Sequence, residues 1–145
     1  MLKNKLIDGA TEMIKNFIAL IHSHFSKKAQ TAASEILQKS QTTWNNTPIK
    51  EMNLANPEVT VVRIQIPKGT KLSWHQHPIL NVGYLTKGEL TVRTEQGEVL
   101  VLKKGEPIIE VINTWHYGES TGNEDAEIVV VYVGNHGDSI TELKE

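Results

Sequence analysis

The pattern of hydrophobic and polar residues changes twice along the chain and divides it into three parts. In residues 1–33, apolar side chains such as Ile14, Ile18, Ile21 and Phe25 recur every three or four positions, which is the period of an amphipathic helix. Residues 34–58 are polar and rich in turn formers, which predicts a connector. Residues 59–145 alternate short runs of Val, Ile, Leu and Thr with Gly, Pro and Asn, which predicts a β domain.

The β domain is predicted to contain about eight short strands. They cover residues 59–66, 71–77, 80–86, 89–94, 98–103, 107–112, 115–119 and 126–133. Turn residues every 8 to 12 positions are typical of an antiparallel sandwich or barrel. An α/β fold does not fit, because no helical period follows residue 58.

The N-terminal segment has two interpretations. Its apolar stretch Phe17–Ile21 is broken by His22, too soon for a membrane span, which needs about 20 apolar residues. A secretory leader would also have a longer apolar centre. We therefore expect residues 1–33 to form a helix that packs on the barrel or on a partner subunit, which favours a cytoplasmic protein. A degenerate leader, with a periplasmic or exported protein, remains the alternative.

Composition removes several classes of function. The 145 residues, 39% hydrophobic, indicate one domain with one core. The formal net charge of -2 gives no electrostatic reason to expect a nucleic-acid partner. The absence of cysteine excludes disulfides, thiolate metal sites and cysteine nucleophiles.

Three histidines are the candidate chemical groups of the β domain. His75 and His77 are two residues apart on a predicted strand, so both point to one face and can share a divalent metal ion. His116 lies far downstream in a similar context. This arrangement predicts a three-histidine metal pocket inside a β-barrel.

The spacing around these histidines resembles the two signature motifs of the cupin superfamily of jelly-roll barrels. The first motif is met by Gly69, His75, His77 and Gly88, while Asn81 stands where the family has a glutamate. In the second motif, Gly105 and His116 match, whereas Val111, Asn113 and Ser120 replace a proline, a glycine and an asparagine. The resemblance covers about residues 59–134 and extends to small single-domain bacterial cupins.

The resemblance implies a fold, a metal site and an assembly. The expected fold is an all-β, antiparallel jelly-roll (cupin) β-barrel preceded by an N-terminal amphipathic α-helix, assembled as a homodimer. One divalent transition metal (Fe, Mn, Ni, Cu or Zn) would be held by His75, His77 and His116, with Asn81 in the outer or variable position. Because Asn81 replaces a carboxylate, the ion would keep its full double charge and attract anionic or enolisable oxygen ligands.

The sequence is compatible with two hypotheses about activity. The first is a metal-dependent enzyme acting on a small oxygenated molecule by dioxygenase-like or Lewis-acid chemistry, with no catalytic residue assigned. The alternative is a non-catalytic small-ligand-binding or accessory cupin whose metal site is empty or purely structural. The fold does not decide between them, because the superfamily hosts many unrelated functions.

Other residues near the motifs were placed by strand alternation. Trp74 and Trp115 each adjoin a proposed ligand, so they should point away from the pocket and serve packing. Glu110 lies six residues before His116 and would face inward on a straight strand, but a bend near Asn113 breaks this alternation, and we predict a surface or rim carboxylate. An inward Glu110 would need a partner or a role as a general base.

Overall fold

The computed structural model describes residues 12–15 and 31–145 of the chain. Contacts divide the chain into two units, Met1–Glu35 and Ile36–Glu145. In the first unit, residues 12–15 are helical and exposed, in agreement with the predicted N-terminal helix, and Glu12 and Lys15 form an ion pair at 3.8 Å. The remainder of the helix predicted over residues 1–33 lies outside the described residues. Among the residues described, no helix has the length and apolar character needed to cross a membrane.

The second unit is built from two antiparallel sheets. The strands are β1 (Pro57–Ile66), β2 (His75–Gln76), β3 (Leu80–Lys87), β4 (Glu89–Thr94), β5 (Val99–Lys103), β6 (Pro107–Ile109), β7 (His116–Ser120), β8 (Ala126–Asn135) and β9 (Glu142–Leu143). One sheet has the order β1-β8-β3-β6, and the other has the order β5-β4-β7-β2-β9. This confirms the predicted antiparallel jelly-roll architecture.

Most predicted strands agree with the structure to within two residues, and the departures have local causes. Only His75–Gln76 of the predicted strand 71–77 is regular, with an isolated bridge joining Lys71 to Glu119. The predicted strand 107–112 ends at Ile109, before the left-handed Asn113 (φ 51°). Strand β9 was not predicted, because its two residues follow a Gly- and Asp-rich turn and are too short to show an alternating pattern.

The core lies between the two sheets, and strand alternation explains how it forms. On β8, every second residue from Ala126 to Tyr132 is buried, while the residues between them are half-buried on the outer face. Residues with a period of two share one face of a strand, so this pattern buries one complete row. The buried core consists of Ile66, Leu85, Leu90, Val92, Leu102, Ile108, Ala126, Ile128, Val130 and Tyr132.

The segment before β1 contributes one anchor to this unit. Trp44 packs against the core cluster, and its backbone N–H donates to the carbonyl of Ile109 at 2.9 Å. A bridge between Thr42 and Pro48 closes the loop that carries Trp44. The indole of Trp44 is thereby placed beside the end of β6.

Candidate metal centre

The structure brings the three predicted histidines together at the inner wall of the barrel. His75 on β2 pairs directly with His116 at the start of β7. The ring centroids of the three imidazoles are 4.5 to 5.0 Å apart. One nitrogen from each ring lies within 4.8 Å of the others. An ion with metal–nitrogen bonds of ~2.1 Å can bridge such a group after small side-chain movements.

Backbone carbonyls fix the orientation of all three imidazoles. In each ring, Nδ1 is hydrogen-bonded to a carbonyl oxygen; the partners are Ser73 for His75 (2.7 Å), Ile140 for His77 (2.8 Å) and Thr114 for His116 (2.8 Å). Because a carbonyl can only accept, each Nδ1 carries the proton and donates it. The Nε2 lone pairs are therefore free to bind a metal ion, and their outer partners are of the kind that orients metal-binding histidines.

Burial keeps these imidazoles uncharged near neutral pH. Desolvation lowers the pKa of His75 and of His116, although the carbonyl hydrogen bonds oppose it. Burial likewise lowers the pKa of His77 to about 4, opposed by its hydrogen bond to Ile140 and aided by the two neighbouring histidines. Metal ions bind the neutral form of imidazole, so the cluster is in its binding form.

The imidazoles line a cavity of about 340 Å³ inside the barrel. This volume falls in the range of small-molecule sites, which are mostly apolar with a few convergent polar groups. The apolar lining comes from Ile64, Ile66, Leu72, Leu90, Val92, Ile128, Val130 and Leu143, and the polar side chains are Ser73, His75, His77, Asn81, Glu110, His116, Tyr132 and Thr141. The cavity thus has the composition of a site for a small, partly apolar molecule.

Asn81 lines the same cavity and retains unused hydrogen-bonding capacity. Its side chain is 2% exposed, and within the described part of the chain its Nδ2 has no hydrogen-bond partner. A buried donor without an acceptor costs about 1–3 kcal/mol. The amide therefore fits a site in which an oxygen atom of a bound molecule faces it.

Glu110 is buried in the cavity, so the prediction of a surface or rim carboxylate is wrong. The residue is 8% exposed, and its Oε1 lies 3.9 Å from Nε2 of His116. Strand pairing explains the error: Glu110 lies opposite Asn81, and the bend at Asn113 begins only afterwards. Burial raises the pKa of Glu110, while the indole N–H of Trp44 opposes this by donating to the carboxylate.

The tryptophans beside the histidines point away from the cavity, as predicted. The ring of Trp74 packs edge-on against Tyr117, with a centroid distance of 4.7 Å. The ammonium group of Lys144 lies over both Trp74 and Trp115 and pairs with Glu95. These contacts hold Lys144, which follows the edge strand β9, against side chains on the outer face of the five-stranded sheet.

Sequence reasoning missed the contribution of the C-terminal segment to the site. The carbonyl of Ile140 and the hydroxyl of Thr141 both contact Nδ1 of His77, and Leu143 lines the cavity. The composition of Gly134–Asp138 indicates only a turn, and no local pattern shows that the chain returns beside β2. The contacts of Ile140 and Thr141 with His77 therefore follow only from the three-dimensional position of the segment that leads into β9.

Several solved structures share this fold. A double-stranded β-helix protein from Klebsiella pneumoniae is 23% identical over 83% of this chain and 95% of its own, with a TM-score of 0.53. A cupin 2 conserved barrel domain protein from Rhodopseudomonas palustris is 13% identical over 67% of this chain and 63% of its own, with a TM-score of 0.52. The DMSP lyase DddQ from Ruegeria pomeroyi is 19% identical over 59% of this chain, also with a TM-score of 0.52.

At these identities the likeness establishes the fold alone. The match to DddQ spans 43% of the lyase chain, so this chain corresponds to less than half of that protein. No curated protein matches the sequence. The family model described as Cupin domain matches residues 62–132, which include all three histidines and Asn81. This match identifies the matched part of the chain, residues 62–132, as a cupin domain.

Proposed function

We propose that the barrel holds one divalent transition-metal ion through His75, His77 and His116, with Asn81 beside it, and acts as a metal-dependent enzyme on a small oxygenated molecule. One observation carries the proposal. Three imidazoles, of which His77 and His116 are buried and His75 is half-buried, have their Nδ1 atoms occupied by backbone carbonyls, and they offer one nitrogen each within 4.8 Å. Such convergence of oriented lone pairs supports a metal site more than a packing role.

The residues around the centre support binding of a small oxygenated ligand. A bound ion would supply Lewis acidity or oxygen activation, and imidazole ligands suit Fe, Mn, Ni, Cu and Zn. The apolar walls of the cavity can accept the carbon skeleton of the ligand. The free amide N–H of Asn81 can donate to an oxygen of the ligand and so orient it.

Removing one imidazole tests the metal centre. The purified, untagged protein should contain close to one equivalent of a single transition metal by elemental analysis. His77→Ala should weaken the affinity for Co²⁺ by more than about 100-fold, because loss of a ligand costs more than loss of an outer hydrogen-bond partner, worth 10–100-fold. His136→Ala is the control: it removes an exposed imidazole that is hydrogen-bonded to Glu58 outside the cavity, and its affinity should equal that of the native protein.

Native protein that neither contains a metal nor takes one up on titration would contradict the proposed centre. Catalysis is then tested by oxygen consumption and product analysis with thiol, diketone and phenolic substrates. Turnover that disappears in His77→Ala and persists in His136→Ala would support the enzyme. Stoichiometric metal without turnover, together with tight ligand binding, would favour the non-catalytic alternative.

The proposed homodimer has a candidate surface on the outer face of the four-stranded sheet. Val61, Val131 and Val82 are paired across three adjacent strands, and Val61 is 63% exposed. Val59 and Tyr84 extend this apolar stripe. A second copy would remove the stripe from water, which stabilises by about 25 cal/mol per Å² of apolar surface.

Light scattering after size exclusion tests this surface. The native protein should elute as a dimer, and Val61→Lys should be a monomer, because a lysine at the centre of an apolar interface loses its hydration. Val101→Lys places the same charge on β5 in the other sheet, where the valine is 48% exposed, and should leave the dimer intact. A native monomer at tens of micromolar, or dissociation only by Val101→Lys, would refute this face as the interface.

A further inference from the structure

Glu110, the first residue after β6, lies opposite Asn81 of the neighbouring strand β3. Strands β3 and β6 pair antiparallel with Val82 opposite Ile109, and the next step places Asn81 opposite Glu110, whose N–H donates to the Asn81 carbonyl at 3.2 Å. Directly opposite residues have their side chains on the same face of the sheet. Both side chains therefore enter the same cavity, where both contribute to the lining.

The carboxylate of Glu110 is held in place and turned toward the histidines. Its Oε1 accepts the indole N–H of Trp44 at 3.0 Å and the backbone N–H of Val111 at 3.3 Å. The same oxygen lies 3.9 Å from Nε2 of His116, the nitrogen left free by the Nδ1 hydrogen bond. Two donors thus fix the carboxylate at the edge of the imidazole cluster.

Within the described residues, this carboxylate has no lysine or arginine as partner. Of the lysines and arginines in residues 12–15 and 31–145, those that form ion pairs contact other carboxylates. A buried carboxylate is costly unless it is paired or coordinates a metal. Three neutral imidazoles and one carboxylate also form a donor set whose charge partly offsets that of a divalent cation, which three imidazoles alone do not.

We propose that Glu110 is the carboxylate of the metal centre, entering from the end of β6 opposite Asn81 and supplying the negative charge that position 81 lacks. This inference rests on the proposed metal function and adds a residue to it. The sequence predicts that a bound ion keeps its full double charge, because Asn81 is neutral. With Glu110 in the centre, one carboxylate lies beside the ion and offsets part of that charge. Trp44 is then a positioning residue, because its indole N–H holds the carboxylate toward the histidines.

A carboxylate exchange between the two positions tests the proposal. Titration of the full chain with Co²⁺, followed by calorimetry and by the visible absorption of the bound ion, should show at least tenfold weaker binding and an altered spectrum in Glu110→Gln. The double variant Glu110→Gln, Asn81→Glu returns one carboxylate to the cavity from the opposite strand. Its affinity should recover to within about threefold of the native value, whereas glutamine alone at position 110 cannot supply the charge.

The control is Glu98→Gln, which removes a half-buried carboxylate that accepts hydrogen bonds from Asn45 and Thr94 outside the cavity. This variant should bind Co²⁺ with native affinity and spectrum. Trp44→Phe keeps Glu110 but removes its indole donor, and it should weaken Co²⁺ binding by less than Glu110→Gln does. Thermal unfolding of each metal-free variant confirms that the binding losses are not losses of fold.

The outcomes separate this inference from the proposed function. If Glu110→Gln binds Co²⁺ like the native protein while His77→Ala does not, the metal centre stands and the role of Glu110 is refuted. If the double variant binds Co²⁺ no better than Glu110→Gln, the idea that Glu110 supplies the charge missing at position 81 is refuted. If the native protein binds no metal, the proposed function fails and takes this inference with it.

Discussion

Gly88→Ala should lower the free energy of unfolding by more than about 3 kcal/mol or prevent folding altogether. Gly88 has φ 74°, a left-handed conformation that costs an L-residue about 1–2 kcal/mol. A Cβ at this position would also lie 2.6 Å from the carbonyl oxygen of Asp125 and 2.9 Å from Cα of Ala126. Both obstacles are backbone atoms, so no rotamer change relieves the clash. Denaturation by urea, followed by far-UV circular dichroism, measures the loss.

Gly97→Ala separates the clash from the backbone conformation. Gly97 also has a positive φ of 89°, but a Cβ there would meet no atom within 4 Å. This variant should lose only the conformational cost, about 1–2 kcal/mol. Equal losses in Gly88→Ala and Gly97→Ala would show that the contact with Asp125 and Ala126 contributes nothing.

The features that the sequence predicted well are those with a local physical cause. The strands follow from period-two alternation, because every second residue of β8 must be apolar to bury one face. The motif position of Gly88 follows from a turn that requires a positive φ. Asn113 shows the same rule with another residue: it stands where the cupin motif has glycine, and it keeps φ 51°, which asparagine tolerates better than most residues.

The features that the sequence could not reveal depend on partners distant in the chain. The inward orientation of Glu110 follows from its register with Asn81, and its hydrogen bond comes from Trp44, which is 66 residues away. The contact of His77 with Ile140 spans 63 residues. Alternation within one segment contains no information about which strand lies beside it, so the three histidines were predictable while their supporting groups were not.

The site shows how these two kinds of information combine. A pair of histidines two residues apart shares a face by local geometry alone, whereas the proposed centre also needs His116, Asn81 and Glu110 from other parts of the chain. Apolar residues of both sheets line the cavity around them without filling it. Polar groups in an unfilled core reduce stability, so a function for the cavity explains why they are present.

The metal-free protein should lose stability as the pH is lowered from 7 to 4 because of its buried histidines. Burial lowers the pKa of His77 to about 4, while an unfolded histidine has a pKa near 6.5. Between these values the unfolded chain binds more protons than the folded one, so acid favours unfolding. The contribution of His77 is present above pH 6.5 and is lost progressively to pH 4, by about 3 kcal/mol. His75 and His116, whose pKa values are also lowered, act in the same direction.

Urea midpoints measured at several pH values in the presence of a chelator test this expectation. Carboxylates also titrate in this range, so the native protein is compared with His77→Gln, which keeps a polar side chain and removes the titrating group. The free energy of unfolding of His77→Gln should fall less steeply between pH 6.5 and 4, and parallel curves would contradict the role of His77. His136→Gln, at an exposed imidazole, should not flatten the native curve. Because a metal ion also requires neutral imidazoles, the protons that destabilise the barrel should release the metal, so binding and folding should fail over the same pH range.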